Sequence, residues 1–438
     1  MNTPSSPVQS FFDFVAHAPT AFHAVEEACT RLQAAGFTRL DEHAPWRIAP
    51  GSRCYVTRNR SAVVAFCVPE QGLSHFQIAA SHSDSPMFKL KPNAEDSSSA
   101  PYIRLDVERY GGMILSSWFD RPLSIAGRAL VRREGRLVTR LVDFGRDALL
   151  IPNMPIHFNR SVNDGYSYNA QVDLLPLYAG AEAKGALARE IARACGTGEA
   201  DVVSSDLFLY NRMPGSVWGA GNEFFSCPRI DDLECAYTSL QAFLAAPARG
   251  HVNVWAMLDN EEVGSGSKQG ADSTLLGDVL ARVCAALGME DAQARAAVSS
   301  SFMVSADNAH AVHPNHPEKY DSLNRAFMNG GVVIKHNANQ KYTTDAVSQA
   351  IFSEILAHAG VPVQHFSNRS DVAGGSTLGN IANTHVSMNT VDIGLAQLAM
   401  HSCYETAGTQ DVAHMIRALT AFYGANILPH GDGEYAIE

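Results

Sequence analysis

The sequence predicts an α/β protein, a mostly parallel sheet flanked by helices, interrupted by an inserted, mostly β unit. Three observations predict it. From Cys227 to the C-terminus, short apolar runs alternate with stretches of helical length, the pattern of a parallel sheet with crossover helices. From about Ile103 to Phe144 the texture changes to alternating apolar and polar residues with no long helix, an antiparallel signature. The chain, at 438 residues with 46% hydrophobic and 18% charged residues, is long enough for two structural units and carries ample core. Residues 1–92 and 222–438 are expected to form the α/β unit and residues 93–221 the insertion.

Taken in order, Thr20-AFHAVEEACTRLQAAGF spaces Phe22, Val25, Cys29 and Leu32 along one face, so it reads as a helix capped by Thr20 and ending near Gly36. Ala62-VVAFCV and Phe76-QIAA have the length of buried strands, and the second runs into the turn Ser81-HSDSP. Asp96-SSSAP suits a crossing into the insertion. Ile103-RLDV, Ile125-AGRALVRR and Leu137-VTRLVDF alternate as antiparallel strands, followed by a helix in Ala181-EAKGALAREIARACG and a strand in Val202-VSSDLFLY. Beyond Cys227 the expected helices are Asp232-LECAYTSLQAFLAA, Ser273-TLLGDVLARVCAALG and Thr344-DAVSQAIFSEILAHAG. The expected strands there are Val252-NVWAML, Phe302-MVSA, Val332-VIKH, Val363-QHF and Val386-SMNTVDIG.

A formal net charge of −12 argues against a general nucleic-acid binder or a binder of anionic membranes, because both polyanions would be repelled at long range. There is no run of 18 apolar residues, and the opening MNTPSSPVQSFFDF is polar and then amphipathic, so a cytoplasmic location is expected. Eight cysteines without a CxxC pair read as buried, reduced thiols.

Histidine and acidic clusters recur where predicted strands end: Ala79-ASHSD, Met257-LDNEE and Val304-SAD. In an open α/β sheet, functional groups gather outside the carboxyl ends of the strands, so these clusters can meet in one crevice. If the strand continues through Ser81-HSDSP, His82 and Asp84 share a face, and the carboxylate can orient the imidazole as a metal ligand. Alone, so short a motif is more often a solvated polar turn. Glu261 and Glu262 are adjacent, and two buried carboxylates need a cation or a shared proton between them. In extended backbone adjacent side chains diverge, so one can hold a metal while the other faces a water as general base. Asp231 and Asp232 stand at a helix start, where a carboxylate also serves as a cap. His401 follows apolar residues, as core histidines do. The set supplies histidine and carboxylate donors without clustered cysteine, which suits hydrolysis with zinc, cobalt or manganese.

Seven motifs in one order carry a resemblance: Ser81-HSDSP, Ile151-PNMPIHFNRSVND, Pro228-RIDD, Leu258-DNEEVGS, Ser305-ADNAHAVHPN, Val333-IKHN and Gln397-LAMHS. In these the chain resembles the M18 family of aspartyl aminopeptidases over nearly its whole length. The resemblance implies two catalytic divalent ions, zinc foremost, with His82 and Asp307 on one, Glu262 and His401 on the other, and Asp231 rather than Asp232 bridging them. It implies Glu261 as general base, Asp84 as the partner of His82, and peptides with N-terminal Asp or Glu as substrates. Lys335 and His310 would line the pocket for the acidic side chain. His157, in the insertion, would reach the active site of a neighbouring subunit, making the insertion a dimerisation domain in a homo-oligomer of up to twelve subunits. The alternatives are an aminopeptidase or deacylase of different side-chain preference, and a non-catalytic metal-binding cage protein.

Overall fold

The computed structural model describes residues 6–98, 101–247 and 249–438. The crossing expected at Asp96-SSSAP includes residues 99 and 100, which lie outside the described residues, but the segment links Met87–Asp96 to Tyr102–Tyr110, two strands paired in one antiparallel sheet, so it is not a crossing between units. A nine-stranded sheet forms the centre of the α/β unit. Its spatial order is Thr38–Arg39, Arg53–Arg58, Ala62–Cys67, Val252–Leu258, Phe76–His82, Phe302–Ala306, Asn389–Gly394, Val332–His336 and Val363–Ser367. The four strands from Val252–Leu258 to Asn389–Gly394 run parallel, in a register that sets Leu258 beside His82 and Ala306 beside Ile393. Their carboxyl ends therefore finish together.

Both faces of this sheet are covered, which explains why its strands read as continuous apolar runs. Val63, Ala65, Trp255 and Met257 pack with helices Pro7–His17, Ala21–Ala34, Ile230–Ala245, Ala346–His358 and Asp411–Gly424. Their neighbours Val64, Phe66, Val254 and Ala256 point the other way, into a core shared with Leu275–Ala286, Asp291–Ser299 and Leu378–His385. The period-2 alternation of a strand thus divides one apolar run between two cores. All eight cysteines are buried and free, as expected.

The expected antiparallel strands lie in a six-stranded sheet ordered Arg136–Asp143, Leu123–Arg133, Val202–Asn211, Met87–Asp96, Tyr102–Tyr110 and Leu177–Gly180, antiparallel throughout. A small five-stranded sheet joins Ser216–Trp218, Phe224–Cys227, Glu405–Gly408, Ala396–Leu398 and Ala309–His310. It ties the segment entering the helix Ile230–Ala245 to the turn that carries His401. Thr20 precedes its helix as expected, but its hydroxyl pairs with His23 Nδ1 at 2.9 Å and caps no backbone amide. No helix among the described residues is long and apolar enough to cross a membrane.

Candidate metal centre

His82 is the last residue of a strand with every side chain buried, and the strand stops there. Its Nδ1 pairs with the backbone carbonyl of Asp84 at 3.0 Å and lies 3.5 Å from Asp84 Oδ1. That leaves Nε2 facing Asp231 Oδ1 at 3.5 Å, with Asp232 Oδ2 and Asp307 Oδ1 each at 4.0 Å. Asp307 arrives on the turn after Phe302–Ala306. Asp231 and Asp232 enter through Arg229, whose left-handed backbone (φ 58°) turns the chain into the helix Ile230–Ala245. Both aspartates depart from helical geometry and are joined by a cis peptide bond. Neither caps the helix; Arg229 occupies the cap position.

His401, also left-handed at φ 67°, directs Nε2 to within 3.3 Å of Asp231 Oδ2 and 3.4 Å of Glu262 Oε2. The donor atoms thus fall into two groups, each within 4.8 Å: His82, Asp231, Asp232 and Asp307, and then Asp231, Glu262 and His401. Asp231 belongs to both.

The glutamate pair corrects one expectation. Glu261 and Glu262 do not lie on extended backbone; they form a single 3-10 turn with Val263, between Asn260 at φ 61° and Gly264 at φ 92°. The cause is Asp84. Its Oδ1 accepts from Glu261 N at 3.1 Å and its Oδ2 from Glu262 N at 3.2 Å, so one carboxylate gathers both amides and bends the chain. Asp84 Oδ2 also accepts from the Tyr110 hydroxyl at 2.7 Å.

So many carboxylates in a buried space repel one another. Burial and the charge of Asp231 push the Glu262 carboxyl well above its ordinary range. Burial, with Asp307, Asp84 and Asp231, pushes Glu261 up to about 8 against the pull of His82. Burial also acts to raise Asp231, but the His401 and His82 imidazoles outweigh it and hold Asp231 low. One oxygen each of Asp231, Asp232 and Glu262 is buried with no hydrogen-bond partner. Orphaned, mutually repelling oxygens beside two imidazoles cost free energy unless cations satisfy them. The donor set fits divalent ions of the zinc type.

Lys335 is 2% exposed. Its Nζ donates to Asp307 O at 2.8 Å, lies 3.5 Å from Asp307 Oδ2, and stands 5.2 Å from the centre of the Tyr342 ring. The ammonium is thus engaged with a member of the first donor group. His310 is exposed, its ring 6.0 Å from that of Phe366. His157 is exposed on the loop after Ile151 and joins neither donor group.

Two groups escape the sequence reading. Glu405 is buried, its two oxygens accepting from His401 N at 2.7 Å and Asp231 N at 3.1 Å, and burial with the Asp231 charge pushes it up to about 8. Tyr110 reaches Asp84 from the six-stranded sheet. Glu405 had one available signal, its place four residues after His401, just beyond that motif; Tyr110 had none.

Residues 14–423 match the family model for the aminopeptidase I zinc metalloproteases (M18). A protein of Clostridium acetobutylicum named as a probable M18 family aminopeptidase 2 is 43% identical over 423 residues, 95% of this chain and 98% of its own. Among solved structures, Ape4, determined by cryo-electron microscopy in complex with Nbr1, superposes with a TM-score of 0.93 at 34% identity, over 95% of this chain and 85% of that one. The S. cerevisiae mApe1 dodecamer gives a TM-score of 0.84 at 26% identity, over 95% of each chain.

Proposed function

Since the chain belongs to the M18 family of zinc aminopeptidases, we propose that it removes N-terminal residues, acidic ones foremost, from peptides at a centre of two divalent ions. Metalloaminopeptidase activity follows from the family; the count of ions, the residue roles and the acidic preference are this reading's own. The observation that carries it is the pair of donor groups sharing Asp231, each beside carboxylate oxygens that no protein group satisfies.

In this reading His82 and Asp307 would hold one ion, Glu262 and His401 the other, and Asp231 would serve both. Divalent ions bound there would supply Lewis acidity toward a water and the scissile carbonyl. Glu261 would take the proton of the attacking water and return one to the leaving amine, a task that suits a residue whose backbone amide Asp84 fixes beside the donor groups. Asp84 fixes the turn on which both glutamates stand. The peptide's free amino group is attracted by the surplus of carboxylates.

Lys335 is the proposed cation for an acidic side chain, with His310 beside it. A second reading, an aminopeptidase with a different side-chain preference, is favoured by the engagement of the Lys335 ammonium with Asp307. A panel of aminoacyl substrates separates the two. Acidic substrates should lead, and the lead should vanish in Lys335→Ala; if neutral substrates lead in the wild type, the second reading holds. Metal analysis of the gently purified protein should return two divalent ions per chain.

The domain reading is likewise proposed: residues 1–92 and 222–438 as the catalytic unit, residues 93–221 as a dimerisation unit whose His157 reaches a neighbouring site in a larger homo-oligomer, although the strand Met87–Asp96 across the first boundary lies wholly in the six-stranded sheet. It is supported by the apolar residues flanking His157, with Met154 59%, Ile156 48% and Phe158 83% exposed in the single chain.

A further inference from the structure

The six-stranded sheet reaches the metal centre within the same chain. Its strand Tyr102–Tyr110 ends beside the Glu261–Glu262 turn, and the next four residues run along the centre. The Tyr110 ring meets Phe208 of the same sheet edge-on at 5.6 Å, which fixes where the hydroxyl points. That hydroxyl donates to Asp84 Oδ2 at 2.7 Å and accepts from Asn260 Nδ2 at 2.8 Å, while Asn260 Oδ1 accepts from Gln269 Nε2 at 2.8 Å. Asp84 is in turn the acceptor for both glutamate amides. One chain of hydrogen bonds thus connects the core of the inserted sheet to the backbone carrying Glu261 and Glu262.

The same segment holds the opposite side of the centre. Ile114 N donates to His401 O at 3.0 Å, and Ser117 Oγ accepts from Cys403 N at 2.9 Å. Just after Tyr110 the chain carries two glycines, Gly111 and Gly112. A Cβ on Gly111, at φ 76°, would stand 3.2 Å from Glu262 Cβ, and one on Gly112 would stand 3.8 Å from His401 Nδ1. The strap therefore lies against Glu262 and His401, two of the three members of the second donor group.

We propose that the segment Tyr110–Ile114 of the inserted sheet is a positioning element of the metal centre, with Tyr110 acting through Asp84 on the Glu261–Glu262 turn. Tyr110 touches neither a donor atom nor substrate; it sets where the turn stands. The ion held by Glu262 and His401 depends on it more than the ion held by His82 and Asp307. Outer partners of metal ligands typically change affinity or rate by about 10- to 100-fold when removed, and the same scale is expected here.

The inference rests on the two-ion reading, and Tyr110→Phe in the full-length holoenzyme tests it apart from that reading. The ring keeps its contact with Phe208 and loses only the hydroxyl. Chelator competition should show one ion leaving about 10-fold or more readily, the ion identified by the step that Glu262→Gln removes. With a chromogenic aminoacyl substrate and saturating metal, kcat should fall by a similar factor while KM stays within about two-fold. Should Tyr110→Phe fail to fold, Gly111→Ala presses on Glu262 from the same side and is read by the same competition. Equal weakening of both ions would mark general loosening and overturn the proposal. So would metal retention and kcat both within two-fold of the wild type. A wild-type protein that takes up no ions would instead sink the metal-centre reading, and this inference with it.

Discussion

Replacing Glu261 by Gln removes a proton acceptor and leaves the shape of the turn, because Asp84 holds the backbone amide rather than the carboxylate. Turnover should fall by about 10²- to 10⁴-fold with metal content unchanged, measured by steady-state kinetics beside elemental analysis; retained activity would rule out its role as base. Glu405→Gln should act in the opposite sense. One of the amides of His401 and Asp231 loses its acceptor, and metal should be released about 10-fold more readily to a chelator. Away from the centre, His75 and His251 are buried and stacked with ring centres 5.2 Å apart. Burial, then the His251 charge, lowers His75 to about 4, and burial lowers His251 as well. A depressed histidine means that only the unfolded chain gains the proton below about pH 6.5. Stability is therefore full above that pH and is lost as the pH falls toward 4, by about 3 kcal/mol. Urea denaturation at pH 7 and pH 4.5 should show a smaller loss in His75→Gln than in the wild type. His82, Glu262 and Asp307 were legible as candidates because they lie at or just after expected strand ends, a local signal, whereas Asp231 at a helix start and His401 after apolar residues were singled out only by the resemblance. Glu405 and Tyr110 were not legible, since their roles depend on partners up to 174 residues away in the chain.

Elements read well where they are long and covered on both sides. The strand Val252–Leu258 and the helices Ala21–Ala34, Ile230–Ala245 and Ala346–His358 match the expected runs to within a few residues. The five-stranded sheet was not legible, because strands of two to four residues are too short to display period-2 alternation. The helix Leu378–His385, at eight residues, has little more than two turns in which to show a period. Pro7–His17 and Asp411–Gly424 are not among the sequence expectations, although both bury an apolar face. One expected helix owes its start to chemistry that can be tested. Asp345 accepts from Ser348 N at 2.8 Å, while Ser348 Oγ accepts from Asp345 N at 3.0 Å, a reciprocal cap. Asp345→Ala should cost about 1 kcal/mol, seen as a lower midpoint in chemical denaturation.

At the scale of the molecule, the division into an α/β part and an antiparallel part was legible from texture alone, but not the contact between them. The sequence shows two hydrophobic periods; it does not show that Tyr110–Ile114 of one part lies against Glu262 and His401 of the other. Association of chains is testable at the same scale. Phe158→Asp places a charge on the most exposed apolar residue of the His157 loop. The mass of the assembled species in analytical ultracentrifugation should fall, with the melting temperature of the dissociated chain little changed; an unchanged mass would remove this loop from the interface.

The convergence of His82, Asp231, Glu262, Asp307 and His401 also has a meaning in time. A chain emerging from the ribosome presents His401 only 319 residues after His82 (401 − 82). Strand Asn389–Gly394, which lies between Phe302–Ala306 and Val332–His336, emerges just before His401, so the sheet closes at nearly the same moment. Synthesis proceeds at about 5–20 residues per second, so the interval between the appearance of His82 and that of His401 is on the order of tens of seconds. Through that interval the pair of donor groups is incomplete, because the second cannot form before His401 joins the fold.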